Sequence, residues 1–374
     1  MNILFLDQFG ELGGAQRCLL DLFPALADRG WKAHLAAPAG GQLAECAARS
    51  GATVDPIRCG PFASGRKTAA DLARFVQQTP RLAAEIRRLA GGYHADLIYV
   101  NGPRLLPAVA LAARRGPPVL FHAHSLLDGT VRRLAGRALL QARAGILASC
   151  RFVAAPLLPY SGDHGVRVVY NGVREMRAAR RAPPSAAVRI GMIGRISPEK
   201  GQADFLRAAR ILHPLMPECR FVICGAPLFS DPAAQRYGAS LEALAADLPV
   251  EFTGWQDDAQ SVLGTLDLLA VPSAAIDATP RVIMEAFACG VPVVAFDSGG
   301  IPEMVEHDAT GFLVAERNAH TLALAMCDAL RDPQQLRRIA AAARDKARRD
   351  FSLDRYRRQL MDAIAAAVVP GAVY

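Results

Sequence analysis

Short apolar runs recur along the chain, each ending in a polar residue or glycine and each followed by a stretch with helical spacing. Residues 2–7, 34–38, 96–101, 119–124, 145–150 and 166–173 form one series of such runs. Residues 189–194, 221–226, 250–255, 268–271, 293–296 and 311–314 form another. Runs this short, bounded by turn residues, are what fully buried parallel strands look like. Between them, 15–29, 42–50, 65–90, 130–144, 202–212, 280–289 and 319–330 repeat apolar residues at intervals of three and four. The chain therefore predicts strand and helix in alternation, carried through twice. That is the signature of an α/β protein with two doubly wound domains.

Helix signals sharpen the pattern in places. The 65–90 segment is expected to break near Pro80, since proline removes an i→i−4 hydrogen bond. The region 334–367 reads as helical with a break at Phe351 and Ser352. Residues 174–187, REMRAARRAPPSAA, are polar, basic and proline-containing, and are expected to link the two domains. The predicted organisation is a first domain over 1–173, the linker, a second domain over 188–351, and a C-terminal helical segment over 352–374.

Composition adds bounds. With 374 residues, 52% of them hydrophobic and 21% charged, each half can build a core of its own. No run of 18 apolar residues occurs, and the opening MNILFLDQFG lacks a basic leader, so neither a membrane span nor a signal peptide is expected and the chain reads as cytoplasmic. Eight scattered cysteines without a C-x-x-C read as reduced thiols rather than a disulfide or metal framework. The formal charge of +8 is uneven: residues 1–180 carry +11 and residues 181–374 carry −3. A basic half favours an anionic partner, either a membrane surface or a phosphorylated acceptor, with a merely solvated surface as the plain alternative. Nucleic acid is disfavoured, because no aromatic interleaving or recognition motif accompanies the basic residues.

Chemistry concentrates in 272–305. Thr279 is placed to cap a helix, Pro280 suits its first position, and Gly290 follows its end. Asp277 lies in the loop feeding that helix and Glu285 lies about one and a half turns inside it. A helix start offers unpaired amides and a positive dipole end to a phosphate, while two carboxylates suit hydroxyls. A ligand anionic at one end and hydroxyl-rich at the other, such as a nucleotide sugar, fits both. Upstream, Arg195 and Lys200 flank a turn into the helix at 202, a spacing that suits a diphosphate. Gly13 and Gly14 sit where the first strand turns into the first helix, as a loop that lets a ligand approach the backbone would. His122 and His124 end a strand, where open α/β sheets bind ligands. His122 points to the opposite side from His124 and reads as structural.

These motifs resemble the retaining glycosyltransferases of family 4, which have the GT-B fold, two Rossmann-like domains facing across a cleft. The string 277–285 is similar to their E-x7-E signature, with Asp277 at the first acid and Glu285 at the second. G-R-x-x-x-x-K-G over 194–201 resembles their donor-diphosphate motif, Gly13-Gly14 their glycine pair, and His124 their histidine after a strand. The resemblance implies Arg195 and Lys200 on the phosphates, Asp277 and His124 at the sugar, Glu285 at the ribose, and Trp255 beside the base. It further implies a C-terminal helix that crosses back to the first domain. Two departures stand out: Asp277 is one methylene shorter than glutamate, and Pro280 replaces a glycine whose N–H faces the phosphate. That contact then falls to Thr279, Arg281 or Val282. Cys150 occupies the place of a family serine and reads as inert packing.

The expected activity is transfer of a hexose from a UDP- or GDP-linked sugar to a glycan or lipid-linked acceptor, in bacterial polysaccharide or glycolipid synthesis. No cofactor and no metal are expected, since the sequence holds no D-x-D. The alternatives are a noncatalytic nucleotide-sugar-binding protein of the same fold and a sugar-nucleotide epimerase.

Overall fold

The computed structural model describes residues 1–60, 69–162, 165–176, 187–227, 232–256 and 258–369. The chain divides into two compact units: residues 1–170 together with 354–374, and residues 171–353.

In the first unit, strands β1 (Asn2–Leu6), β2 (Lys32–Ala37), β3 (Thr53–Pro56), β4 (Leu97–Val100), β5 (Val119–Ala123), β6 (Gly145–Ala148) and β7 (Val166–Val168) form one sheet in the order β3-β2-β1-β4-β5-β6-β7. All of its pairs are parallel. The described helices of this unit are α1 (Gly14–Asp28), α2 (Gln42–Arg49), α3 (Ala69–Gly92), α4 (Leu106–Ala112), α5 (Gly129–Ala142) and the short α6 (Arg151–Ala154). Strand β1 lies between β2 and β4, so the winding reverses there, and a crevice opens past the strand ends. Buried Phe5, Phe23 and Tyr99 meet at ring separations of 5.1 Å and anchor α1 to that central pair. Such offset contacts contribute beyond area burial alone.

The second unit repeats the plan. Strands β8 (Arg189–Ile193), β9 (Arg220–Cys224), β10 (Val250–Gly254), β11 (Leu268–Val271), β12 (Val293–Phe296) and β13 (Phe312–Val314) form a parallel sheet in the order β10-β9-β8-β11-β12-β13. Its switch point lies between β8 and β11. Around it stand α7 (Gln202–Leu212), α8 (Pro232–Ala245), α9 (Ala259–Leu263), α10 (Arg281–Cys289), α11 (Ile301–Met304), α12 (Ala319–Arg331) and α13 (Pro333–Asp350). A core of Phe205, Phe221, Phe296, Leu212, Leu322 and Met326 fills the layer where α7 and α12 cover the sheet. The last helix, α14 (Leu353–Val368), belongs from Asp354 onward with the first unit. There Tyr356 donates its hydroxyl to the Cys18 carbonyl at 3.0 Å, and Arg357 Nε reaches the Asp21 carbonyl at 2.7 Å.

The structure corrects several expectations. Helix α3 runs unbroken through Pro80. Thr79 gives its hydroxyl to the Phe75 carbonyl at 2.8 Å, and Val76, whose carbonyl the proline leaves without an amide, is an exposed residue of the helix. The strand expected over 166–173 stops at Val168, and Val173 instead bridges to Ser352 at the crossing into α14. The division between units falls after Tyr170, and the expected linker lies outside the described residues over 177–186, as do Arg66 and Lys67 of the 65–90 segment. Strand β3 and helices α4, α8 and α9 are additions to the sequence reading. Among the described residues no helix is long and apolar enough to cross a membrane. All eight cysteines are unbridged, and burial pushes the Cys59 thiol up to about 12 and those of Cys219 and Cys289 to about 11. Cys150 is fully buried where α6 begins.

Candidate functional site

The second unit gathers its sequence-derived candidates at the ends of β8 and β11. Past β8 the chain turns through Arg195 and a single 3-10 turn, Pro198–Lys200, into α7. Gln202, fully buried, holds that turn by donating Nε2 to the Arg195 carbonyl at 2.7 Å. Past β11, residues 272–279 loop toward α10. Gly201 takes φ +81°, and a Cβ there would stand 1.8 Å from the Pro272 carbonyl oxygen, so the two loops touch through a position that only glycine fills. The Ala275 amide also donates to the Glu199 carbonyl at 3.3 Å.

Across this junction Lys200 Nζ lies 2.5 Å from Asp277 Oδ2, which also accepts the Ser273 hydroxyl at 3.0 Å. Both partners are mostly screened from water, so the pair is stronger than a surface ion pair. Arg195 pairs with Glu199, and Arg281 Nε approaches Glu285 Oε1 at 3.5 Å, one helical turn away on α10. Pro280, rather than Thr279, takes the capping position, and the helix begins at Arg281. The reason is that the Thr279 hydroxyl is engaged elsewhere: it accepts Asn171 Nδ2 at 3.0 Å. The Ile283 amide donates to the Pro280 carbonyl at 3.1 Å, closing the first turn of α10. Gly290 ends the helix at φ +71°, as the sequence indicates. Trp255 follows β10 at 39% exposure.

The first unit places its candidates at its own switch point. Gly13 caps α1 and Gly14 opens it. Neither has the positive φ of a left-handed turn, and a Cβ at Gly14 would meet nothing within 4 Å. The Gly13 amide donates to Gln16 Oε1 at 3.1 Å, and Gln16 Nε2 donates to both oxygens of Asp7 at 3.0 and 3.1 Å. Asp7, directly after β1, is fully buried, and burial raises its carboxyl to about 6. Its other donors include the Phe9 amide at 2.9 Å and Asn101 Nδ2 at 2.6 Å. Asn101, directly after β4, in turn meets His124 Nε2 through Oδ1 at 2.9 Å. Burial lowers His124 to about 4, so its ring is neutral near pH 7. His122 does not point away from His124 as expected: residues two apart on a strand share a face, and the two rings lie 3.9 Å apart. It is buried against the Tyr99 hydroxyl at 2.6 Å and held well below the usual histidine range by burial, as a structural residue would be.

Sequence reading missed Asp7, Gln16, Asn101, Asn171, Glu199 and Ser273. Asp7 and Asn101 carried a signal, since each is the first polar residue after a strand at a switch point. The others are recognisable only through their partners. Among the described residues no cluster of three or more His, Cys, Asp or Glu is arranged to hold a metal ion.

Comparison with known proteins bears on the family and the fold. The family model for glycosyl transferases group 1 matches residues 175–346, and the model for Glycosyltransferase Family 4 matches residues 12–177. The amylovoran biosynthesis glycosyltransferase AmsK of Erwinia amylovora is 28% identical over 184 residues, 47% of this chain and 44% of that protein. A GDP-mannose-dependent monoacylated alpha-(1-6)-phosphatidylinositol monomannoside mannosyltransferase of Corynebacterium glutamicum is 30% identical over 173 residues, 44% of this chain and 43% of that protein. The matched segments span somewhat under half the length of these curated relatives. Among solved structures, Anabaena Alr3699/HepE in complex with UDP and glucose superposes with a TM-score of 0.82 at 27% identity, covering 98% of this chain and 100% of that one. The two family models together span nearly the whole sequence, and the paired parallel sheets match those of the solved relatives: the chain belongs to the glycosyltransferases of the GT-B fold that these models describe.

Proposed function

We propose that the chain is a retaining glycosyltransferase that moves a hexose from a UDP- or GDP-linked sugar to a glycan or lipid-linked acceptor, without a metal, in the building of a bacterial polysaccharide or glycolipid. The observation that carries this reading is the Lys200–Asp277 pair, at 2.5 Å beside the start of α10. In a nucleotide sugar, phosphate oxygens and sugar hydroxyls are close neighbours. Such a ligand can divide the pair, giving an anionic oxygen to Lys200 and a hydroxyl to Asp277. Each charge-assisted hydrogen bond gained this way contributes about 1.5–3 kcal/mol. Arg195, Lys200, the Thr279 hydroxyl and the amides of Arg281 and Val282 then oppose the charge that develops on the leaving diphosphate. Glu285 accepts from the ribose. The departing phosphate takes the acceptor proton, so no dedicated base is required. The Anabaena protein crystallised with UDP-glucose favours uridine as the base, and the Corynebacterium relative is named for GDP-mannose.

The test is turnover. Wild-type protein is assayed for transfer or hydrolysis against UDP-, GDP- and ADP-sugars, beside Glu285→Ala and Lys200→Ala. Loss of turnover in folded variants supports the enzyme. A wild type that binds a nucleotide sugar, detected by thermal shift, yet neither transfers nor hydrolyses it supports the noncatalytic reading, which the missing amide of Pro280 favours. An epimerised sugar formed without any acceptor would indicate an epimerase.

The acceptor reading places the protein at the cytoplasmic face of a membrane. Helix α5 supports this: Val131, Leu134 and Leu140 are exposed among Arg133 and Arg137, on the half of the chain that carries +11. Apolar side chains interleaved with cations suit an anionic lipid surface. Failure to float with anionic vesicles at low salt would remove this part of the proposal.

A further inference from the structure

The groups that the first unit offers at its switch point are tied to one acid that the reaction itself does not use. Asp7 is fully buried and receives donors from Phe9, Gln16 and Asn101. A buried carboxylate is expensive unless its hydrogen bonds organise something. Here the orientations can be read without observing a hydrogen. The Asp7 carboxylate only accepts, so Asn101 must turn its amide nitrogen toward it, at 2.6 Å. The Asn101 oxygen then faces His124 Nε2 at 2.9 Å, and an amide oxygen only accepts, so the proton of His124 must sit on Nε2. That leaves Nδ1 with its lone pair, and Nδ1 is a buried atom with no hydrogen-bond partner among the described residues. By the same logic Gln16 turns its nitrogen to Asp7 and its oxygen to the Gly13 amide.

We propose that Asp7 and Asn101 are positioning residues: together they hold His124 in the Nε2–H tautomer, so that Nδ1 keeps its lone pair as an acceptor, while Gln16 anchors the Gly13–Gly14 loop to the same carboxylate. Any part this plays in turnover rests on the proposed transferase reading; the tautomer does not. The low affinity of His124 for a second proton agrees with this, since a neutral ring can accept where an imidazolium cannot.

A conservative change reverses the relay. In Asp7→Asn the new amide keeps its oxygen toward the Phe9 amide, which is fixed by the backbone, and so presents its nitrogen to Asn101. Two donors then face each other, Asn101 turns over, its nitrogen meets His124 Nε2, and the ring proton moves to Nδ1. Gln16 still finds the oxygen, so the glycine loop stays anchored. In Gln16→Leu the reverse holds: the loop is released and the tautomer stays.

Long-range 1H–15N correlation spectra of histidine-labelled full-length protein at pH 7 read this directly, with the His124 signals assigned by their absence in His124→Gln. The wild type is expected to show Nε2 protonated and Nδ1 bare, Asp7→Asn the opposite, and Gln16→Leu the wild-type pattern. Protonated Nδ1 in the wild type overturns the proposal whether or not the variants fold, and so does an unchanged tautomer in folded Asp7→Asn. These spectra need neither donor nor acceptor, so failure of the tautomer and failure of the transferase reading are told apart. In an active wild type, Asp7→Asn is further expected to lower kcat about tenfold or more, the equivalent of one hydrogen bond reversed in sense.

Discussion

Gly201→Ala probes how the second unit brings its two ligand loops together. The glycine is left-handed, and an added methyl would stand 1.8 Å from the Pro272 carbonyl oxygen, which belongs to backbone and cannot rotate aside. Two penalties add. A left-handed alanine costs about 1 kcal/mol, and forcing a carbon into filled space costs about 1–3 kcal/mol more. The sum of about 2–4 kcal/mol corresponds to a fall in Tm of roughly 5–15 °C for a unit of this size. Gly290→Ala supplies the control, in the same unit: its φ is +71°, but the nearest atom to the new carbon is Arg344 Cδ at 3.9 Å. Only the first penalty applies there, about 1 kcal/mol and roughly 2–4 °C. Because Lys200 precedes Gly201 and Asp277 follows Pro272, relief of the clash must also part that ion pair. Calorimetric titration with UDP or GDP is then expected to show at least a roughly tenfold weaker Kd for Gly201→Ala and an unchanged one for Gly290→Ala. Equal melting of the two variants would refute the packing argument. A destabilised Gly201→Ala with wild-type nucleotide affinity would refute the link from loop contact to ligand.

Other expectations follow from the same geometry. The folded pKa of Asp7 is raised from 3.8 to about 6, so the folded chain holds that proton more tightly than the unfolded chain. Its contribution is present below about pH 4 and lost as pH rises to about 6, a swing of about 3 kcal/mol. Urea denaturation from pH 4 to 8 should show the wild type losing that much relative to Asp7→Asn, and a difference independent of pH would contradict it. Asn171→Ala leaves the Thr279 hydroxyl without its buried donor, which should cost about 1–2 kcal/mol in unfolding experiments and raise the KM for the nucleotide sugar. Replacing Arg133 and Arg137 with glutamate should abolish flotation with anionic vesicles while leaving transfer to a soluble acceptor intact.

The alternation of strands and helices was legible because parallel strands buried on both faces must be continuously apolar, as Val293–Phe296 is. Helix α7 shows its bounds through Gly201 on one side and the apolar spacing of Phe205, Leu206, Ala209 and Leu212 on the other. Pro80 misled for a physical reason: a proline breaks a helix only when the carbonyl it strands has no other partner, and exposure is not written in the local sequence. The start of α10 misled likewise, because Thr279 is drawn off by Asn171, 108 residues away in sequence. Cations and acids could be read as a ligand set from spacing. Which acid each cation meets could not, since Lys200 and Asp277 are 77 residues apart and are joined only by the adjacency of β8 and β11.

That pairing has a consequence for how the second unit meets anions in general. Three cations, Arg195, Lys200 and Arg281, face three acids, Glu199, Asp277 and Glu285, so these pairs carry no excess charge to draw in whatever phosphate diffuses past. A ligand gains a foothold only by exchanging partners, supplying an anion for each base and a hydroxyl for each acid it displaces. Inorganic phosphate and pyrophosphate offer the first without the second. Discrimination against them is thus built into the resting protein, and occupancy by a sugar-bearing nucleotide should vary far less with ionic strength than the basic character of the chain would imply.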